Sequence, residues 1–381
     1  MARGSIVSEY GIGTFPLNTY HSYAEIVSWL KGLALYNPTI TSLIRLPDYT
    51  GIPIRTHQNR LMYAVKIGSN ATKRKNAIWI DAGLHGREWI STAVALNWIN
   101  LLIQGYLRKD NKLVQFVDQF DWYILPVANP DGYEYTRSTD RMWRKNRRPN
   151  QAFNSKCGCA GVDLSRNFDW YWGRGLNESF DVCEETYHGP HPFSEPESRG
   201  IRNQLFSLKH PICYISLHSA GQLWLYPFGH EHGAKPFDWF ELSDAAAKVT
   251  RKIQKYSGKY YRTGSKSDMM YVTKGSSVDW AKGILNIKYT FLVELPPSHS
   301  EGFQWNRPYH PGCTVPGAEQ IMKSWFILPE ELIIPIAIDT WSGMETLVEH
   351  MLAERNVPAV EGKRSLSLPS SRRVVSSLET E

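Results

Sequence analysis

Residues 83–91 read GLHGREWIS, which sets His85 and Glu88 three residues apart just after the apolar run NAIWIDA. Imidazole and carboxylate are side chains that ligate divalent cations and move protons near neutral pH. A third such group, His218, falls at the end of YISLHS, and a fourth, Glu294, near the end of FLVELP. Singly, each has an ordinary reading. His85 and Glu88 fit a surface turn, and His218 fits a core histidine satisfied by backbone. Together they supply two neutral imidazoles and a carboxylate, with a second carboxylate at hand. Three protein ligands with one position left for water are the donor set of a catalytic zinc, not a structural one.

The elements around these residues argue that they meet. Near-continuous apolar runs at 62–68, 76–83, 121–129, 211–218 and 288–295 read as strands. Segments 19–37, 91–107, 194–208 and 337–354 carry helical spacing, with Ser91 and Ser194 as expected caps and Pro196 in a first turn. The turn NPDG follows the strand at 121–129. Strands apolar on both sides and alternating with helices predict an α/β fold: a mixed, mostly parallel central sheet covered by helices on both faces. Ligand sites in such sheets form beyond the carboxyl ends of the strands, where all four groups lie. Burying them there unpartnered would cost roughly several kcal/mol each, and a metal ion removes that cost.

Composition narrows the class. The chain has 381 residues, 42% hydrophobic and 21% charged, enough apolar content for a large core. The net charge of +6 is concentrated at 136–148 and 361–373, without the basic–aromatic alternation of a nucleic-acid binder. No run of eighteen apolar residues predicts a membrane span. The first fifteen residues lack an apolar signal core. The five cysteines form no paired C-x-x-C arrangement, and an odd number leaves at least one without an intrachain partner. Cys213, inside PICYIS, reads as a buried thiol. Residues 1–18 read as a lead-in, 19–353 as one catalytic domain, and 354–381 as a disordered basic, Ser-rich tail.

Nine segments in order, GLHGREWIS, NPDGYEYT, DRMWRKNR, GVDLSRNFD, CEETYHG, SEPES, SLHSAGQLWLYPFG, SSVDW and FLVELP, resemble the zinc metallocarboxypeptidases of the pancreatic carboxypeptidase A/B type. The resemblance runs from about residue 19 to about 353. It implies a zinc-dependent exopeptidase, with one zinc per chain, that removes the C-terminal residue of peptides and proteins. His85, Glu88 and His218 correspond to the zinc ligands, and Glu294 to the general base towards the attacking water. Arg144 corresponds to the group stabilising the oxyanion, and Arg166, beside Ser165, to the receptor for the substrate's terminal carboxylate. Tyr271 corresponds to a mobile tyrosine that closes over substrate, Arg87 to an outer-subsite arginine, and Asp163 to the carboxylate orienting His85. Cys159 and Cys183 align with a disulfide, which favours an oxidising, extracellular compartment for a secreted monomer. The sequons at 70–72 and 177–179 would then be glycosylation acceptors.

Several positions depart from the family pattern. Ser165 stands where asparagine is usual, and Ala220 where tyrosine is usual. Val278 occupies the position that decides terminal-residue preference and argues for apolar or neutral residues. Lys266 aligns with a pocket-wall position. Pointing inward it would favour acidic termini; snorkelling outward, the favoured orientation of the two, it would leave the pocket apolar. Segments 55–61 and 304–325 are insertions, read as tolerated surface loops or, for the second, as a rim that narrows the cleft or docks a partner. Two rival functions remain: a zinc amidohydrolase acting on acylated amino acids, which would not need Arg166, and a peptide-binding relative that has lost catalysis, which Ser165 alone favours.

Overall fold

The structure, a computed structural model, describes residues 15–71, 74–149, 159–174, 180–297 and 325–355. Residues 1–14 of the lead-in, the 304–325 insertion save its last residue, the tail from 356, Cys157, Cys313, the sequon at 177–179 and the Thr72 end of the other lie outside them.

Eight strands build one sheet: β1 (Thr41–Arg45), β2 (Tyr63–Ile67), β3 (Asn76–Ala82), β4 (Phe120–Leu125), β5 (Pro211–Ser219), β6 (Leu223–Tyr226), β7 (Arg262–Ser265) and β8 (Tyr289–Leu295). Their spatial order is β1-β2-β4-β3-β5-β8-β6-β7. The central four, β4, β3, β5 and β8, run parallel, and β6 and β7 pair parallel with each other. The β1–β2, β2–β4 and β6–β8 pairs are antiparallel. This is the mixed, mostly parallel sheet that the doubly apolar strands predict.

Strand periodicity explains why both faces are covered. Along β5, Cys213, Ile215 and Leu217 enter one core while Tyr214 enters the other. Along β8, Tyr289, Phe291 and Val293 enter the first core and Leu292 the second. The first core packs under α1 (Tyr23–Tyr36), α2 (Trp89–Leu107), α6 (Trp239–Ser257) and α9 (Ile333–Arg355). The second lies under α5 (Pro196–Ser207) and α8 (Ser277–Gly283). Helices α3 (Asn111–Gln119), α4 (Pro130–Ser138) and α7 (Lys266–Met269) complete the described set. Among described helices, α2 alone is long and apolar enough to cross a membrane. Its apolar window is 72% buried in the fold, as befits a core helix.

Local signals differ from expectation at several points. Ser22 caps α1 in a capping box with Glu25. Ser91 does not cap α2; it lies inside the helix, accepts from Gly83 N at 3.0 Å and donates to Glu88 O at 2.7 Å. Ser194 likewise gives up the capping role at α5, donating instead to Glu195 Oε1. NPDG is not a free turn. Asn129 caps α4 through Gly132 N and Pro130 opens the helix, a pairing compatible with either reading. Helix α6 was legible in the spacing of Leu242, Ala245, Ala246, Val249 and Ile253 but is absent from the expected elements. Four-residue β6 and β7 are too short for periodicity to reveal. Cys159 and Cys183 form a disulfide with Cα atoms 4.8 Å apart, and Cys213 is a buried free thiol.

Candidate active site

Three strand ends deliver the chemistry. Beyond β3 the chain turns at Gly83, whose φ of +63° suits glycine and where a Cβ would meet Thr92 Oγ1 at 2.7 Å. That turn presents His85 and then Glu88 at the head of α2. Asn129 braces the turn from beyond β4, donating to Leu84 O at 3.2 Å and Lys145 O at 3.1 Å, so the loop of His85 and the chain of Arg144 share one support. His218 is the last residue but one of β5, and its register partner on parallel β8 is Glu294. Neighbouring parallel strands thus place the histidine and the carboxylate side by side.

His85, Glu88 and His218 are buried, and their donor atoms all lie within 4.8 Å of one another. His85 Nδ1 is 2.7 Å from Glu88 Oε1; His218 Nδ1 is 3.1 Å from Glu88 Oε2 and 3.2 Å from His85 Nδ1. The far nitrogens are held elsewhere. His85 Nε2 meets Asp163 Oδ1 at 3.2 Å, and His218 Nε2 meets Ser216 Oγ at 3.0 Å. Two imidazoles turning Nδ1 to a common point, with Nε2 anchored, form a fitting donor set for zinc. Burial and the neighbouring imidazoles act in opposition on Glu88, and the imidazoles win, holding its carboxyl below the usual range. Burial lowers the His218 imidazole against the pull of Glu88. Ionised carboxylate and neutral imidazole are the protonation states a metal takes.

Asp163 is the hub of the opposite wall. It is fully buried, a cost that Arg144, His85 and Arg166 overcome, holding its carboxyl well below the usual range. Arg144 donates Nε and Nη2 to Asp163 Oδ2 at 3.1 and 2.9 Å, and its Nη1 lies 3.3 Å from His85 Nδ1. Arg166 Nε lies 3.4 Å from the same oxygen, and its guanidinium sits 5.7 Å from the Tyr271 ring centroid. Ser165 Oγ donates to Asp163 Oδ1 at 2.8 Å and accepts from Arg144 Nη2 at 3.1 Å. Its hydroxyl therefore joins the two charged residues beside it at the wall of the cavity.

His85, Glu88, His218, Arg144, Ser165, Arg166 and Glu294 line one cavity of about 300 Å³, together with Arg87, Lys266, Tyr271, Thr273, Ser276 and Ser277. Arg87 donates to Glu185 Oε2 at 2.8 Å and lies over the Phe326 ring at 4.5 Å. Glu294 is buried, its Oε2 has no hydrogen-bond partner among the described residues, and burial followed by Glu88 raises its carboxyl well above the ordinary range. Such a carboxyl is tuned to take up a proton. Lys266 does not snorkel outward. It is buried, lines the cavity and donates to Thr273 Oγ1. A Cβ on Gly229 would fall 2.8 Å from Lys266 Cδ and Nζ, so glycine there leaves the lysine its inward path. Val278 is fully buried in the second core, and at that stretch Ser276 and Ser277 line the cavity instead.

Sequence reasoning missed the support of His218. Ser216 Oγ donates to Asp81 Oδ1 at 2.6 Å, and Asp81 Oδ2 accepts from Trp79 Nε1 at 2.8 Å. The signal was present: Ser216 and His218 stand two apart on β5 and so share a face.

The zinc carboxypeptidase family model matches residues 26–343. Carboxypeptidase A2 of Rattus norvegicus is 34% identical over 339 residues, covering 89% of this chain and 72% of that protein. Carboxypeptidase B of Astacus astacus is 32% identical over 330 residues, 86% of this chain and 96% of that one. Among solved structures, bovine thrombin-activatable fibrinolysis inhibitor in complex with tick carboxypeptidase inhibitor aligns with a TM-score of 0.73 at 31% identity, covering 89% of this chain and 99% of that chain. With its matched motifs converging on one buried His–Glu–His cluster, this chain belongs to the zinc carboxypeptidase family, and it is a metallocarboxypeptidase.

Proposed function

We propose that residues 19–353 form a secreted catalytic unit that removes C-terminal residues and prefers an acidic side chain, Glu or Asp, at the end of the peptide. The observation that carries the preference is the buried Lys266 ammonium lining the same cavity as Arg166. His85, Glu88 and His218 would hold one catalytic zinc. When bound, zinc polarises the scissile carbonyl and acidifies water. Glu294 takes the proton of the attacking water and returns it to the leaving amine. Arg144, steadied by Asp163 and Ser165, faces the oxygen on which negative charge develops. Arg166 receives the terminal carboxylate as a two-donor fork, which restricts cleavage to chain ends. Tyr271, partly exposed above Arg166, closes over the bound residue, and Arg87 steadies the chain upstream.

An ammonium with one hydroxyl acceptor among the described residues has donors left for a ligand, and a substrate carboxylate satisfies them at full charge. Burial pushes the Lys266 ammonium down to about 8, against the pull of Asp279. At neutral pH it remains mostly protonated. A peptide panel differing only in the last residue tests the reading: kcat/KM for Glu should exceed that for Leu by about 100-fold, roughly the worth of one buried charge pair. As pH rises through about 8 the ammonium loses its proton, so this ratio should fall towards unity. Lys266→Ile should invert the ranking. Faster cleavage of Leu by the wild type at pH 7 would defeat the proposal and return the pocket to an apolar or neutral preference.

Ser216→Ala removes the hydroxyl between Asp81 and His218. Zinc affinity, read by chelator competition, should fall about 10–100-fold, and the zinc-free protein should lose about 1–3 kcal/mol because the buried Asp81 oxygen loses its donor. An unchanged affinity would show that the strand alone holds the imidazole.

A further inference from the structure

The second cluster of ligating groups lies away from the catalytic cavity, where the inserted hairpin 55–61 meets the start of α5. The hairpin closes through an Arg55–Leu61 bridge and a Thr56 N to Arg60 O bond of 2.9 Å. Its tip grips Asp131 in the first turn of α4. Thr56 Oγ1 and Gln58 N each donate to that carboxylate at 2.8 Å, and Arg60 Nη1 does so at 2.7 Å. This grip fixes His57, whose Nε2 lies 2.9 Å from Glu195 Oε2.

Glu195 and Glu197 are both wholly buried. Asn146 Nδ2 donates to Glu195 Oε2 at 2.7 Å and to Glu197 Oε2 at 3.0 Å; Arg148 Nη1 and Ser194 Oγ donate to Glu195 Oε1 at 2.9 and 2.7 Å. Glu197 Oε1 is buried and has no hydrogen-bond partner among the described residues. A wholly buried carboxylate with one orphaned oxygen lacks the ligand that would repay its desolvation. The local charge points the same way. Asp131 and Glu195 pair with Arg60 and Arg148, whereas Glu197 has no cationic partner among the described residues, and burial followed by Glu195 pushes its carboxyl up to about 8.

We propose that His57, Glu195 and Glu197 form a second divalent-cation site, of the zinc class, that pins the inserted hairpin to the head of α5. The donor atoms of these three residues all lie within 4.8 Å of one another. Donors about 2.1 Å from a tetrahedral zinc stand about 3.4 Å apart, so small side-chain adjustments bring the set onto one ion. An imidazole with two carboxylates suits zinc. The His57 side chain keeps 23% of its surface exposed, which gives the ion a way in. The ion has no part in peptide hydrolysis. It takes the place of the proton on Glu197 and cross-links segments 138 residues apart in sequence.

Equilibrium dialysis of the full-length protein against zinc chloride, with metal counted by mass spectrometry, tests the site. The wild type should bind two zinc ions per chain. His57→Ala and the isosteric Glu197→Gln should each bind one and keep the wild-type kcat/KM. One ion in the wild type, or two in both variants, overturns the proposal. His218→Ala separates this site from the catalytic one: it should retain a single ion and lose turnover. Two ions in His218→Ala would refute the catalytic ligand assignment and leave the His57 site standing.

Discussion

Replacing Glu294 by glutamine should cut kcat by about 10²–10⁴-fold, the range for loss of general acid–base catalysis, while zinc content stays at the wild-type level. The two side chains have nearly the same shape, so the pairing of β5 with β8 that sets Glu294 beside His218 should persist. What changes is the loss of a group that can carry a proton from water to the leaving amine. The folding free energy of the zinc-free protein should respond in the opposite direction. Burial and Glu88 raise the folded-state carboxyl well above the ordinary range. A carboxyl whose pKa is raised on folding destabilises the native state as pH rises above its unfolded value. At neutral pH the neutral amide removes that cost, so the variant should melt at or above the wild-type temperature. Measured kcat and a thermal melt settle both halves. Retained turnover would mean that another base acts, and a lower melting temperature would mean that Glu294 makes stabilising contacts.

Arg166→Met should lower kcat/KM by about two to four orders of magnitude, since losing one partner of a buried charge pair costs about 3–5 kcal/mol. The effect should be confined to substrates with a free terminal carboxylate. The wild type should cleave a peptide acid and leave its C-terminal amide intact; the variant should handle both equally slowly. The fold should tolerate the change, because Asp163 keeps Arg144, Ser165 and His85 as partners. Arg166→Lys should recover only part of the loss, as a single ammonium cannot reproduce a planar two-donor fork. Unimpaired hydrolysis of the amide by the wild type would remove Arg166 from the receptor role and favour the amidohydrolase reading.

Much of this arrangement is legible in the chain itself. Strands apolar on both sides predict a sheet with two covered faces, and the division of β5 and β8 between two cores is the direct result. The residues proposed as ligands are legible because they lie at or just past such runs: once 76–82, 211–219 and 289–295 become neighbouring parallel strands, their ends must be adjacent. Ser91 and Ser194 misled because a hydroxyl near a helix start has several competing partners: here Ser91 accepts from a loop amide and Ser194 donates to a neighbouring carboxylate.

Sequence by itself determined the fold class and the imidazoles and carboxylates gathered at the strand ends, since these depend on residue type and on periods of two and 3.6 along a local stretch, and its nine motifs in order carried the resemblance to the family. Only the tertiary structure decided that Lys266 points into the cavity past Gly229, that Ser165 is spent on Asp163 and Arg144, and that His57 meets Glu195 and Glu197. Those outcomes turn on which long side chain finds room and which buried charge finds a counter-charge. Both are fixed by atoms brought together from distant segments, and no local pattern encodes them.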